Sequence, residues 1–206
     1  GINFRDVLNV LGMYPGDPGP PGSDVAGVVV GSGGGSSLQR GEAVFGLAVG
    51  ALGSAVACSA STLVAMPPCL SFEAASSMPT VFITAQLALG EAAGLQPSER
   101  VLVHAAAGGV GLAALQLVSS IGAQAVATAG SPSKRSLLRS LGVSGVVGSR
   151  DTSFVGELAA LGGVDVVLNS LTSPGMVSGS LAVLRRGGRF VEIGKRDIWS
   201  PAAVAR

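Results

Sequence analysis

The sequence predicts an α/β protein in two parts, a short turn-rich β segment followed by a doubly wound parallel sheet. Three observations carry this. Residues 1–79 hold short apolar stretches between loops rich in Gly and Pro. From about residue 80, strand-like apolar runs alternate with helix-like ones. A cluster of small residues stands where the first of those strands runs into a helix. Alternation of strand and helix means βαβ units, whose parallel strands are covered on both faces.

Taken in order, residues 3–10 read as a helical or turn segment. "YPGDPGPPGSD" (14–24) and "GSGGGSS" (31–37) are loops by composition. Apolar stretches at 25–30, 42–47 and 55–66 then predict short strands of a small barrel or sandwich, the first domain spanning 1–79. "TVFITAQLALGEAAGL" (80–95) reads as a helix ending at a glycine and opens the second domain, 80–206. Strands are predicted at 100–105, 123–129, 144–148, 164–171 and 189–194. Helices are predicted between them: 110–121 closed by Gly122, 132–141 closed by Gly142, a short one near 153–161, and 174–184.

Composition narrows the function classes. Of 206 residues, 48% are hydrophobic, enough for a real core, and 13 Lys+Arg against 12 Asp+Glu leave a net charge of +1. That balance makes no electrostatic case for nucleic acid or an anionic membrane surface. Apolar runs break at Gly, Ser or Pro before the roughly 18 residues of a spanning helix, and "GINFRDVL" carries no secretory pattern. Cys58 and Cys69 form neither a metal-ligand cluster nor a disulfide framework, which fits a reducing, cytoplasmic interior. The first residues read as if they start mid-fold, as a fragment would.

The stretch "VLVHAAAGGVGLAALQLV" (101–118) joins a buried strand to a helix with Leu112, Leu115 and Val118 on one face. Between them, Ala106-x-Gly108-x-x-Gly111 fits the dinucleotide fingerprint with alanine in the first glycine's place. Small residues there allow a tight turn, close backbone approach to a diphosphate, and tight helix–strand packing. The helix N-terminus adds unpaired N–H groups and a positive dipole end. A glycine turn without a ligand is the competing reading, because Gly-rich loops abound in a chain with 32 glycines.

The following strand separates cofactors. An NAD site places an acid about 20 positions beyond the glycines, whereas here the strand enters "GSPSKRS" with Ser131, Lys134 and Arg135 and no acid. Hydroxyl and cationic groups suit a 2′-phosphate, so NADPH is expected; a solvated basic turn is the plainer alternative. His104, the single histidine, lies within a buried strand and reads as a satisfied core residue rather than a catalyst.

"NFRDVL" (3–8), "LGMYPG" (11–16), "HAAAGGVG" (104–111), "SRDTSF" (149–154), "DVVLNSL" (165–171) and "GGRFVEIGK" (187–195) together resemble the enoylreductase domains of modular polyketide synthases and animal-type fatty acid synthases, in the medium-chain dehydrogenase/reductase superfamily. The resemblance covers nearly the whole chain. It implies a partial GroES-like β-barrel domain leading into a Rossmann-type domain, and reduction of an α,β-unsaturated acyl thioester by NADPH. The implied partners are an acyl carrier protein bearing the phosphopantetheine-tethered substrate and other synthase domains in cis, with room for a homodimer.

Site residues follow by motif. The resemblance assigns Ala106, Ala107, Gly108, Gly109, Val110 and Gly111 to the diphosphate, and Ser131, Lys134 and Arg135 to the adenosine side. It assigns Asn169, Ser170 and Leu171 to the nicotinamide end and Lys195 to cofactor binding, a solvated loop residue being the plainer reading of the last. Asn3 and Asp6 resemble a pair facing the nicotinamide, with helix capping as the plainer reading. Tyr14 falls where a tyrosine lines the substrate cleft. Lys134 and Asp151 are proton-donor candidates, Lys195 a third, and a solvent proton a fourth.

Two departures stand out. Zinc-dependent relatives carry a His-Glu pair near "GSDVAG" and cysteine ligands, whereas this chain has Ser23 and Asp24 and no usable Cys/His set, so no zinc site is expected. The family's first strands, sixth Rossmann strand and returning C-terminal segment have no counterpart, which predicts an open sheet edge and an incomplete barrel. Two other readings stay open, a freestanding NADPH:quinone or enone reductase of the same superfamily and a catalytically silent structural module.

Overall fold

The computed structural model describes residues 1–195 and 198–204. Residues group into two compact units, 1–83 and 84–206.

In the first unit, α1 (Phe4–Val10) starts where the Asp6 carboxylate turns back to accept the Asn3 N–H at 2.7 Å, satisfying a helix-end donor. Two strands, β1 (Asp24–Val28) and β2 (Ala43–Leu47), form an antiparallel hairpin pairing Asp24 with Leu47 and Val28 with Ala43. β3 (Leu63–Ala65) completes a three-stranded sheet in the order β1-β2-β3. Gly46 is required where β2 meets the chain entering β3, because a Cβ there would lie 2.1 Å from the Thr62 carbonyl oxygen. The strand expected over 55–66 shrinks to those last three paired residues. Most of its earlier part is small Ala and Ser, with too little apolar surface to hold an extended segment on a sheet. Two short helices follow, α2 (Phe72–Ala75), capped by the Ser71 hydroxyl, and α3 (Pro79–Ala85). Both cysteines belong to this unit and are exposed.

Beyond α3 the backbone continues as a π-helical stretch, Gln86–Ala92, rather than the uniform helix expected over 80–95. The wider turn is closed by Ala93 N–H donating to the Ala88 carbonyl five residues back, and it buries Ala88, Leu89 and Ala93 together.

The second unit is a five-stranded parallel sheet of β4 (Arg100–Val103), β5 (Gln124–Ala129), β6 (Gly145–Gly148), β7 (Val164–Asn169) and β8 (Leu184–Glu192), in the order β6-β5-β4-β7-β8. This is the Rossmann order, in which the chain winds outward on one side of the first strand and then reverses to the other. The connecting helices are α4 (Gly109–Ile121), α5 (Pro132–Ser140), α6 (Phe154–Ala160) and α7 (Met176–Ala182), and α8 (Pro201–Val204) comes last. Val101, Leu102, Val103, Val166 and Val167 are fully buried, as strands covered on both faces must be. Phe154, Leu158 and Met176 pack on Leu102, Val126 and Val167 to form the main core cluster.

Two details depart from expectation. β8 begins at Leu184, five residues early, because Val164 pairs with Leu184 and Val166 with Arg189 across an irregularity that absorbs "RRGG". The buried residues of α4 are Gly111, Ala113, Ala114 and Val118, while Leu112 and Leu115 are half-exposed, because the smaller side chains bring the helix closer to the sheet. The single tryptophan, Trp199, is half-buried beside Val177, Leu181 and Phe190 in a groove of about 190 Å³. No helix among the described residues is long and apolar enough to cross a membrane.

Candidate functional site

The order of the parallel sheet reverses between β4 and β7, so the C-terminal ends of those strands border a crevice, the place where open α/β sheets bind ligands. The sequence puts its barest backbone there. Residues 104–108 turn out of β4, with Ala105 in the left-handed region at φ +48°. This conformation sits one residue before Ala106, the position expected to make the tight turn. Ala106 is fully buried, its N–H donating to the Thr128 carbonyl at 2.9 Å, and Gly108 N–H closes the turn onto the Ala105 carbonyl at 2.9 Å. Gly108 is the extended residue before α4. Gly111 serves packing, since a Cβ there would lie 2.5 Å from the Ala106 Cα. The N–H groups of Ala107, Gly109, Val110 and Gly111 have no partner among the described residues. Four unpaired donors at the positive end of a 13-residue helix form an anion cradle.

Ser131, Lys134 and Arg135 come next, at the end of β5. The Ser131 hydroxyl caps α5 by accepting the Lys134 N–H at 3.3 Å, and Pro132 occupies the first turn. Arg135 Nη1 donates to the Ala129 carbonyl at 3.1 Å. The Lys134 ammonium is exposed and bonds no other described residue. Two cations in the first turn oppose the helix dipole, at a cost of roughly 0.3–1 kcal/mol each that a bound anion would reverse. Arg150, which the sequence reading passed over, joins them from beyond β6. Its Nε donates to the Gly130 carbonyl at 3.3 Å. No local signal could have found it, because 20 residues separate the partners.

Asp151 is exposed and follows β6, two strands from β4, or about 10 Å at the usual spacing. Its Oδ1 accepts the Ser153 N–H at 3.0 Å, and hydrogen bonds from the Ser153 hydroxyl and backbone hold the carboxyl below its ordinary value. It is therefore ionised at neutral pH and can only accept.

At the end of β7, Asn169 is fully buried and its side chain is occupied. Its Nδ2 donates to the Leu171 carbonyl at 3.1 Å and to Glu192 Oε2 at 2.6 Å, while its Oδ1 accepts the Leu171 N–H at 3.3 Å. Ser170 and Leu171 are half-buried within this small turn. Glu192, also unforeseen, ties the strand ends together, its Oε1 accepting the Gly194 N–H at 2.6 Å. Lys195 is exposed just past it.

Asn3, Asp6 and Tyr14 belong to the first unit. Asn3 Nδ2 donates to Asp24 Oδ2 at 2.9 Å, and Asp24 Oδ1 accepts both the N–H and the hydroxyl of Thr80, at 2.9 and 2.6 Å. Buried Asp6 spends its second oxygen on the Gly22 N–H at 2.7 Å. The Arg5 guanidinium lies 5.5 Å from the centroid of the Tyr14 ring and donates to the Pro18 carbonyl. A groove of about 880 Å³ in this unit, lined in part by Val25, Val29, Cys58 and Phe72, contains none of the three. Among the described residues no cluster of three or more His, Cys, Asp or Glu could hold a metal ion.

His104 is 3% exposed and fully engaged, with Nδ1 3.1 Å from Thr128 Oγ1 and Nε2 2.7 Å from Ser180 Oγ. Burial pushes its pKa down to about 4, so the ring is neutral.

Comparison with known proteins agrees with this architecture. Residues 109–204 match the family model described as zinc-binding dehydrogenase. The Spectinabilin polyketide synthase system protein NorB of Streptomyces orinoci is 47% identical over all of this chain, which spans only 9% of NorB. CurK enoyl reductase superposes with a TM-score of 0.93 at 43% identity, covering 99% of this chain and 66% of that one. A chain assigned as the enoyl reductase domain of a polyketide synthase is 44% identical with a TM-score of 0.56, covering 61% of this chain and 73% of its own. The mycobacterial protein Rv1454c, solved in complex with NADPH, is 27% identical with a TM-score of 0.88, covering 100% of this chain and 67% of its own.

Proposed function

The chain belongs to the enoyl reductase family of polyketide synthases, and from that premise we propose that it is an NADPH-dependent enoyl-thioester reductase. Its substrate is an α,β-unsaturated acyl chain on the phosphopantetheine arm of an acyl carrier protein, and its neighbours in the longer polypeptide are other synthase domains. The observation that carries the reading is the set of four unpaired amides at the β4/β7 reversal, flanked at the end of β5 by three cationic side chains. The NADPH complex of Rv1454c supports the same cofactor.

The residues present fit that cofactor. The Ala106–Gly111 segment offers a diphosphate the free N–H groups of Ala107 and Gly109–Gly111 and no side chain larger than that of Val110. Ser131, Lys134 and Arg135, joined by Arg150, receive the adenosine 2′-phosphate. When bound, NADPH supplies the hydride that reduces the β-carbon of the thioester. The Asn169–Leu171 turn, clamped by Glu192, and Lys195 border the nicotinamide end and fix where the reactive carbon meets the substrate. Lys134 is one strand away from β4, at the adenosine end, so its part is recognition of phosphate and not proton delivery. Asp151, ionised and further out, does not act as an acid either, which leaves Lys195, at the nicotinamide end, and solvent as the sources of the α-carbon proton. Asn3 and Asp6 brace the start of α1, and Tyr14, steadied by Arg5, lines the substrate side.

The test is a titration with NADPH followed by rates on a carrier-tethered crotonyl thioester and on a simple quinone. Saturable binding and faster turnover of the thioester are expected. No NADPH binding would overturn the cofactor reading, and a faster quinone rate would favour a diffusible substrate.

A further inference from the structure

The buried histidine at the base of the glycine turn has no part in the chemistry above, yet its hydrogen bonds have a defined direction. Ser180 Oγ–H donates to the Met176 carbonyl at 2.7 Å. A hydroxyl has one proton, so at 2.7 Å from His104 Nε2 the serine oxygen is the acceptor and Nε2 carries the ring proton. Nδ1 is then bare and accepts from Thr128 Oγ1–H at 3.1 Å. With its proton committed to the ring, Thr128 Oγ1 keeps its lone pairs for the Ala105 N–H at 3.3 Å. The chain of donors thus runs one way, from Ala105 in the turn, through Thr128 on β5 and His104 after β4, to Ser180 and Met176 on α7. The ring is held edge-on to Phe154, with centroids 5.3 Å apart at 78°, and its depressed pKa keeps it in the neutral form this direction requires.

Ala105 is the residue that needs such support, because it is a non-glycine at φ +48°. We propose that His104 is a positioning residue: through Thr128 it locks Ala105 in the left-handed conformation and so presents the N–H groups of Ala107 and Gly109–Gly111 to a diphosphate. The inference rests on the proposed NADPH site. It adds that the site's geometry is set from beneath by a polar network and not by the glycines alone.

The experiment measures NADPH and adenosine 2′-monophosphate binding to the full chain and to T128V, T128S and H104F. The adenosine ligand has no diphosphate and serves as internal control, and melting curves verify folding. Losing the Ala105 N–H bond to Thr128 should weaken NADPH roughly tenfold in T128V, and freeing that hydroxyl from the ring that orients it should weaken NADPH in the same direction in H104F. Adenosine 2′-monophosphate should stay within about twofold, and T128S should restore most NADPH affinity. Nitrogen NMR of the wild-type ring should find the proton on Nε2. Unchanged NADPH affinity in T128V, equal losses for both ligands, or a proton on Nδ1 would overturn the proposal. Failure of the unsubstituted chain to bind NADPH would instead defeat the cofactor reading itself.

Discussion

Gly111→Ala separates the packing role of the third glycine from any role in contacting ligand. The new Cβ would sit 2.5 Å from the Ala106 Cα and 2.6 Å from its carbonyl carbon and oxygen, about 1 Å inside normal carbon contact. Buried turn backbone, pinned by the Ala106 N–H bond to the Thr128 carbonyl, cannot swing aside as a side chain could, so the first turn of α4 must lift. Alanine gains about 1 kcal/mol over glycine in helix propensity, while overpacking costs about 1–3 kcal/mol and more against rigid backbone. The steric cost wins, and a net loss of about 2 kcal/mol lowers the melting temperature by roughly 4–8 °C. The unpaired amides of Gly109–Gly111 move with the turn, and losing one charge-assisted hydrogen bond to the diphosphate costs roughly 10- to 100-fold in affinity. NADPH affinity, read by fluorescence enhancement below the melting transition, should fall accordingly. Wild-type affinity together with a wild-type melting curve would refute both the contact and the placement of the diphosphate.

Other outcomes follow from the same geometry. Arg150→Ala and Lys134→Ala should each weaken NADPH about tenfold and NADH less than twofold, as charge-assisted phosphate contacts do; equal losses for both cofactors would remove them from the 2′-phosphate. Asp151→Asn should leave turnover within about twofold, since its carboxylate only accepts from Ser153; a tenfold drop at unchanged NADPH affinity would return it to proton delivery. Acid sensitivity carries the mark of His104, which binds a proton at 6.5 in the unfolded chain but at about 4 when buried. Its contribution to stability is whole above pH 6.5 and declines by about 3 kcal/mol as pH falls toward 4. His104→Gln should flatten that part of a melting-temperature profile, and an unchanged slope would assign the sensitivity elsewhere.

The parallel sheet was readable because most of its strands are local apolar runs and the helices α4, α5 and α6 are each followed by a closing glycine, Gly122, Gly142 and Gly162. The anion cradle was readable for the same reason, being one continuous stretch. Features that depend on distant partners were not. Arg150 reaches Gly130, Glu192 reaches Asn169, and Thr128 fixes Ala105, none with a local periodicity to announce it. The π-helical stretch after Ala85 and the early start of β8 failed for a related reason: both depend on packing that overrides the local pattern. In the first unit, Asn3 and Asp6 had two readings, and the bonds of both side chains lie with Asp24, Gly22 and the start of α1.

The division of the two cysteines and the lone tryptophan has a practical consequence. Cys58 and Cys69 are already exposed in the folded chain, so an environment-sensitive dye coupled to them reports on residues 1–83 alone, while Trp199 reports by emission on residues 84–206 alone. Under denaturant, dye and tryptophan emission therefore follow different halves of the polypeptide without any engineered residue. Coincident curves would mean one cooperative transition, and separated curves would give each half its own midpoint.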